Sequence, residues 1–213
     1  IKGNVGLMRR MNTVDEETLL SIDEEANRLT RLVGDLLLLA KAETGKLPLQ
    51  KETLELDTLL FEVLQQMHVL AGDKLTIKLA EIDQILILGD RDRLKQVLLN
   101  LISNAIQYTP EGGEIILSLS KMDGKARFIV QDTGPGIPAE DLPHIFERFY
   151  RTEKSRTRSK TPGFGLGLSI AYWIITKHNG EIDVESEEGK GTIFKIFLPL
   201  LDPEKNKPTA TLS

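Results

Sequence analysis

Three carboxamides on one stretch of predicted helix offer the first chemistry in this sequence. In Leu94 to Pro110, LKQVLLNLISNAIQYTP, Asn100, Asn104 and Gln107 follow one another at steps of four and three, so they share a helical face. Leu94, Val97, Leu98, Leu101, Ile102 and Ala105 recur at helical spacing beside them and form an apolar stripe. A carboxamide is a mediocre helix former, and its carbonyl and NH2 need partners once buried. Amides one turn apart on a half-buried helix therefore suit a polar ligand or an ion. The plainer alternative is a solvated face that carries amides.

Two glycine-rich stretches add a second chemistry. Asp132-Thr133-Gly134-Pro135-Gly136-Ile137-Pro138 follows a predicted strand. Its glycines let backbone approach a ligand closely, and a carboxylate at the strand end can accept a hydrogen bond from an exocyclic amine. An ordinary turn with a solvated aspartate is the alternative. Gly163-Phe164-Gly165-Leu166-Gly167-Leu168 precedes a predicted helix, whose N-terminal N–H groups can face an anion. The spacing is not G-x-G-x-x-G after a strand, which argues against a Rossmann site, and no G-x-x-x-x-G-K-[ST] P-loop occurs. Residues 152–162 between the two stretches are polar, basic and aperiodic. They suggest a mobile lid, with Arg148, Arg151, Lys154, Arg156, Arg158 and Lys160 available for phosphates or simply solvated.

The elements that must hold these residues are legible as patterns. Residues 13–44 predict a long helix, capped by Thr13 or Asp15, with Ile22, Ala26, Leu29, Val33, Leu36 and Ala40 as a bundle seam. A shorter helix is expected over 1–11. Gly45 and Pro48 set a boundary at 45–50. Beyond it, Leu56 to Met67 predicts a helix, Leu75–Leu79 and Ile85–Leu88 strands, and Asp90 or Asp92 a cap for the amide helix. Glu114–Ser120 and Lys125–Gln131 predict a hairpin turning at Asp123-Gly124. A helix over 166–178 and a hairpin of Glu181–Ser186 with Thr192–Leu198 complete the set. Runs of hairpins and helices imply an α+β fold: a mixed, mostly antiparallel sheet with helices on one face, preceded by a helical-hairpin dimerisation element, the alternative being that its long helix folds onto the C-terminal domain. The expected domains are 1–45, 46–201 and a polar, frayed tail at 202–213.

Composition narrows the classes. The 213 residues carry a net charge of -5, with no basic stripe that would suit nucleic acid. Zero cysteines exclude disulfides and thiolate metal sites and suit a reducing, cytoplasmic setting. No apolar run reaches the ~18 residues that cross a bilayer, so membrane attachment is expected only through segments outside this sequence.

The amide helix, the D-T-G-P-G-I loop, the F-E-R-F-Y-R segment at 146–151 and the G-F-G-L-G-L loop follow one another as in the catalytic domain of bacterial sensor histidine kinases. They resemble that family's N, G1, F and G2 boxes, shared with DNA gyrase, a heat-shock chaperone and MutL. The likeness covers about residues 47–200, and the helix at 13–44 resembles the second helix of the dimerisation and phosphotransfer domain. The resemblance implies a Bergerat-type α/β sandwich that binds ATP and Mg2+ between the amide helix and the lid. It implies that Asp132 accepts from the adenine amino group, with Tyr108, Ile137 and Leu168 against the base. Asn104, with Asn100 close by, would ligate Mg2+, a hard ion that prefers oxygen. Gln107, Tyr150, Gly134, Gly136, Gly163, Phe164, Gly165, Leu166, Gly167 and Thr192 complete the implied nucleotide site. Arg151 would neutralise charge on the γ-phosphoryl group, and with Asn100 it forms the implied catalytic pair.

The resemblance also implies a homodimer through residues 1–45 and a cognate response regulator as partner. Gln107 stands where many relatives carry Lys, which shifts weight onto the lid cations. Asn100 stands where hydrolysing branches place Glu. An amide is no general base, so ATP should be kept for another acceptor. The family's H-E-L-R-T-P-like acceptor box is absent. Ile1 to Gly6 is similar to the segment just C-terminal to that box, so a fragment unable to autophosphorylate is expected. His68, His144 and His178 are expected to pack or cap locally. A serine kinase of the same nucleotide-binding group and a non-catalytic interaction module are the competing readings.

Overall fold

A computed structural model of the chain describes residues 16–45, 47–152 and 163–201. The expected helix at 1–11, the caps Thr13 and Asp15, the lid residues Lys154, Arg156, Arg158 and Lys160 and the tail at 202–213 lie outside the described residues. The chain divides into two units between Pro48 and Leu49.

In the first unit, α1 (Glu16–Glu43) is a single helix, with Lys41 in its last turn where a cation complements the helix dipole. Leu38, Leu39 and Ala42 are buried, whereas Leu29, Val33 and Leu36 of the expected seam are 43%, 54% and 40% exposed.

The second unit opens with a strand that the sequence did not signal. β1 (Glu52–Glu55) has four residues, of which only Leu54 is buried, too short a run to show a period of two. It leads directly into α2 (Leu56–Ala71), whose Leu56, Leu59, Leu60, Val63 and Leu64 are buried. β2 (Thr76–Ile82) runs three residues past the expected Leu79, and β3 (Leu86–Gly89) pairs antiparallel with β1 in a two-stranded sheet. α3 (Arg91–Tyr108) is the amide helix, and its whole predicted apolar stripe is buried. Of the two candidate caps Asp90 serves, accepting from the Arg93 N–H at 3.1 Å, and Asp92 lies in the first turn.

β4 (Glu114–Met122) and β5 (Lys125–Asp132) form the expected hairpin. Asp123 and Gly124 both take positive φ (51° and 74°), the conformation that a tight two-residue hairpin turn demands. α4 (Gly167–Lys177) follows the second glycine stretch, then β6 (Glu181–Glu187) and β7 (Gly191–Pro199). The main sheet has five strands in the order β2-β4-β5-β7-β6; β2 and β4 are parallel and every other pairing is antiparallel. Ile115, Leu117 and Leu119, Phe128 and Val130, and Phe194, Ile196 and Leu198 alternate into the core. α3 packs on β5, α4 on β6, and α3 on both α2 and α4, so amides and glycine loops come together along one edge of that helical layer.

Candidate nucleotide site

Asp132 ends β5 directly opposite Thr192 of β7 and is only 8% exposed. Its Oδ1 accepts the Gly134 N–H at 2.8 Å, and the backbone of Thr192 supplies a second hydrogen bond. Burial pushes the carboxyl above the ordinary carboxylate range, and the two backbone hydrogen bonds pull against that rise. A buried acid with donors on part of its acceptor capacity is a ready partner for one more N–H.

The loop after Asp132 is clipped to the second hairpin. Ile137 N–H donates to Ser186 Oγ at 2.8 Å, Gly189 N–H to Pro135 O at 2.8 Å, and Ser186 Oγ in turn donates to Gly191 O at 2.8 Å. Thr192 Oγ1 lies 3.0 Å from Ser186 Oγ, so the threonine joins this cluster. Glycine is required here by the protein's own backbone as well as by any ligand. A Cβ on Gly136, whose φ is +68°, would sit 2.1 Å from Glu187 O, and one on Gly191 would sit 2.0 Å from Asp132 O. At Gly134 a Cβ would meet Asp132 Oδ1 at 2.7 Å and Tyr108 O at 3.3 Å, so the end of α3 and the carboxylate both close on this glycine.

The second glycine stretch is held by the F-E-R-F-Y-R segment. Phe149 N–H donates to Gly165 O at 2.8 Å, and a Cβ on Gly165 would lie 2.7 Å from Tyr150 O. Tyr150 donates its hydroxyl to Asp141, and that acceptor holds the phenol up to about 12. Asn100 Nδ2 donates to Gly167 O at 3.0 Å, which ties the amide helix to the start of α4 and leaves Asn100 Oδ1 as an acceptor. Asn104, Tyr108, Ile137, Arg151, Phe164 and Leu168 are half-buried, Gln107 and Gly163 are exposed. Leu166 is 1% exposed, so its side chain belongs to the core and only its backbone can meet a ligand.

Residues 89–202 match the family described as histidine kinase-, DNA gyrase B-, and HSP90-like ATPase. The chain belongs to this ATPase family. The sensor histidine kinase YclK of Bacillus subtilis is 39% identical over 184 residues, 84% of this chain and 38% of YclK. The sensor protein SrrB of Staphylococcus aureus is 40% identical over 185 residues, 86% of this chain and 32% of SrrB. The chain thus spans about a third of the length of these curated relatives. Among solved structures, the Acinetobacter baumannii histidine kinase AdeS superposes with a TM-score of 0.76 at 28% identity, over 94% of this chain and 93% of that one. The catalytic domain of histidine kinase ThkA gives 0.59 at 33% identity, over 71% of this chain and 98% of that domain.

Within this ATPase family fold, His68 and His144 stay within their own segments, whereas His178, expected to pack or cap locally, also accepts the Asp90 N–H from a distant segment. His144 Nδ1 lies 2.7 Å from Glu147 Oε1, His68 is exposed in the last turn of α2, and His178 is buried at the end of α4. The residue that sequence reasoning missed is Ser186. A lone serine in a strand carries no signal, and its place between the first glycine loop and the start of β7 depends on the β6–β7 register.

Proposed function

We propose that residues 49–201 bind Mg-ATP and present its γ-phosphoryl group to a histidine elsewhere in the parent protein, as the catalytic part of a sensor histidine kinase. The observation that carries this reading is Asp132: a buried carboxylate at a strand end, oriented by two backbone donors and bordered by Tyr108 and the first glycine loop. In that setting it accepts a hydrogen bond from the adenine amino group, and Tyr108, Ile137 and Leu168 line the base. Thr192, buried beside Asp132, completes the purine end.

The phosphate end is supported by the N-terminus of α4, where Gly163, Phe164, Gly165, Leu166 and Gly167 contribute backbone N–H groups. Gly134 and Gly136 shape the opposite wall. Among the described residues no group of three or more His, Cys, Asp or Glu could hold a metal ion. The protein's share of a Mg2+ shell in this reading is amide oxygen, from Asn104 and from the Oδ1 that Asn100 keeps after donating to Gly167. Such an ion, when bound, screens phosphate charge and retains several waters. Gln107 hydrogen-bonds without adding charge, Tyr150 positions the segment beside Gly165, and Arg151 neutralises charge as the γ-phosphoryl leaves. Asn100, an amide, cannot take a proton from water, which favours transfer over hydrolysis.

On this reading the phosphoryl passes from histidine to an aspartate of a response regulator, the protein works in the cytoplasm, and α1 dimerises through its exposed leucines. No helix among the described residues is long and apolar enough to cross a membrane. Calorimetry with Mg-ATP tests the site. Saturable binding lost in Asp132→Ala is expected, and equal binding by both chains would overturn the assignment.

A further inference from the structure

The two helices of the candidate site are tied to each other twice. Beside the glycine loop, Asn100 donates to Gly167 O at 3.0 Å. At the other end His178, which follows α4, meets Asp90, which precedes α3. The Asp90 backbone N–H donates to His178 Nε2 at 2.9 Å, and His178 Nδ1 lies 2.8 Å from Ile174 O. The ties are ten residues apart on α3 and eleven on α4. At 1.5 Å per residue these are spans of roughly 15 and 16 Å, so the antiparallel helices are pinned at matching points and cannot slide past each other.

The far tie works in only one protonation state. A backbone N–H can only donate, so Nε2 must hold a lone pair and the proton must sit on Nδ1, facing the Ile174 carbonyl. A second proton would set N–H against N–H. Both Asp90 carboxylate oxygens are already held in place, Oδ1 by Arg93 N–H at 3.1 Å and Oδ2 by Gln50 N–H at 2.9 Å, so the carboxylate cannot turn to that proton without straining these bonds. Swinging it to the imidazolium would uncap α3 and release the backbone that leads into β1. The ring is 3% exposed, and a Cβ on Gly89 of β3 would come within 3.4 Å of it, so there is little room to turn away. Asp90 favours protonation. Lys51, whose Nζ donates to Lys177 O at 2.8 Å, opposes it, and burial opposes it most, holding the imidazole below its ordinary 6.5.

We infer that neutral His178 is a positioning residue that sets the axial register of α3 against α4, and that protonating it slackens the nucleotide site from its far end. The inference rests on the nucleotide reading above and adds a means of regulation to it. Neither tie requires a ligand, which gives a test independent of one. In the full chain, nitrogen NMR should find Nδ1 protonated and Nε2 bare at about pH 7.5, and Nε2 taking up a proton as the pH falls towards about 5. The Asn100 side-chain amide should shift with the midpoint of His178.

The second arm measures Mg-ATP affinity over the same range in the unmodified chain, in His178→Gln, which offers an acceptor that does not titrate, and in His178→Leu. His178→Gln should bind within about threefold of the unmodified chain near neutrality and lose most of its acid sensitivity. His178→Leu should bind roughly tenfold more weakly than the unmodified chain near neutrality, the scale of one net hydrogen bond, and the gap should close as the pH falls. Acid sensitivity in His178→Gln equal to that of the unmodified chain would overturn the inference and assign the effect to Asp132. An Asn100 amide indifferent to His178 would overturn it as well. Absence of ATP binding at any pH would instead sink the nucleotide reading, while the NMR arm would still decide the tie.

Discussion

At the scale of single residues, Asp132 sets function against stability. Its folded-state carboxyl is raised by burial, so the proton is held more tightly in the folded chain than in the unfolded one. The stabilisation from that proton is complete below the unfolded value near 3.8 and is lost as pH rises through the raised folded value. Asp132→Asn should therefore melt no lower than the unmodified chain at neutral pH, and by the same logic its melting advantage should shrink on acidification. Thermal unfolding at several pH values checks this. The same variant should lose ATP binding, because an amide in that place can present its NH2 to the adenine amine. Two glycines make a complementary pair. Gly136 and Gly112 both have positive φ, but a Cβ on Gly136 strikes Glu187 O whereas one on Gly112 meets nothing within 4 Å. Gly112→Ala should cost about 1 kcal/mol and Gly136→Ala about 3 kcal/mol or more, measured by urea unfolding.

At the scale of elements, the N-terminus of α3 is a junction. Asp90 caps the helix with one oxygen, accepts from Gln50 with the other, and donates its N–H to His178. Asp90→Ala removes both carboxylate bonds but keeps the backbone donor, so His178 should retain its tautomer while stability falls by about 2 kcal/mol. Chemical denaturation with an imidazole nitrogen spectrum would separate those two effects. Glu62 on α2 pairs with both Arg91 and Lys95 on α3, which lowers its carboxyl below the ordinary range, the Lys95 hydrogen bond being the largest cause. The group is solvent-facing, so Glu62→Gln should change stability little, within the noise of a denaturation curve.

At the scale of the whole molecule, α1 shows solvent a row of apolar side chains in a single chain. Leu29, Val33 and Leu36 recur at steps of four and three and each is at least 40% exposed. On the proposed reading a second copy would supply a matching row, as in a helical bundle. Leu29→Lys with Val33→Lys should give a monomer by sedimentation, and binding of ATP by residues 49–201 should persist in it. A dimer that survives both charges would remove α1 as the interface.

How much of this was legible beforehand depends on the range of each interaction. Local pattern determined the amide helix with its six-residue apolar stripe, the Asp123-Gly124 hairpin, the order of elements and the α+β class, because periodicity and turn chemistry act over a few residues. Box order alone pointed to an ATP-binding domain of this family. Tertiary structure decided what spacing cannot encode: that β1 exists as the partner of β3, that Asp90 rather than Asp92 caps α3, and that Gly136 and Gly191 are demanded by the chain's own carbonyls. It also decided that Leu166 is core, that Ser186 joins the first loop to β7, and that His178 locks α3 to α4. Each of these depends on groups from distant segments meeting within hydrogen-bond or contact range, and only the packed chain brings them there.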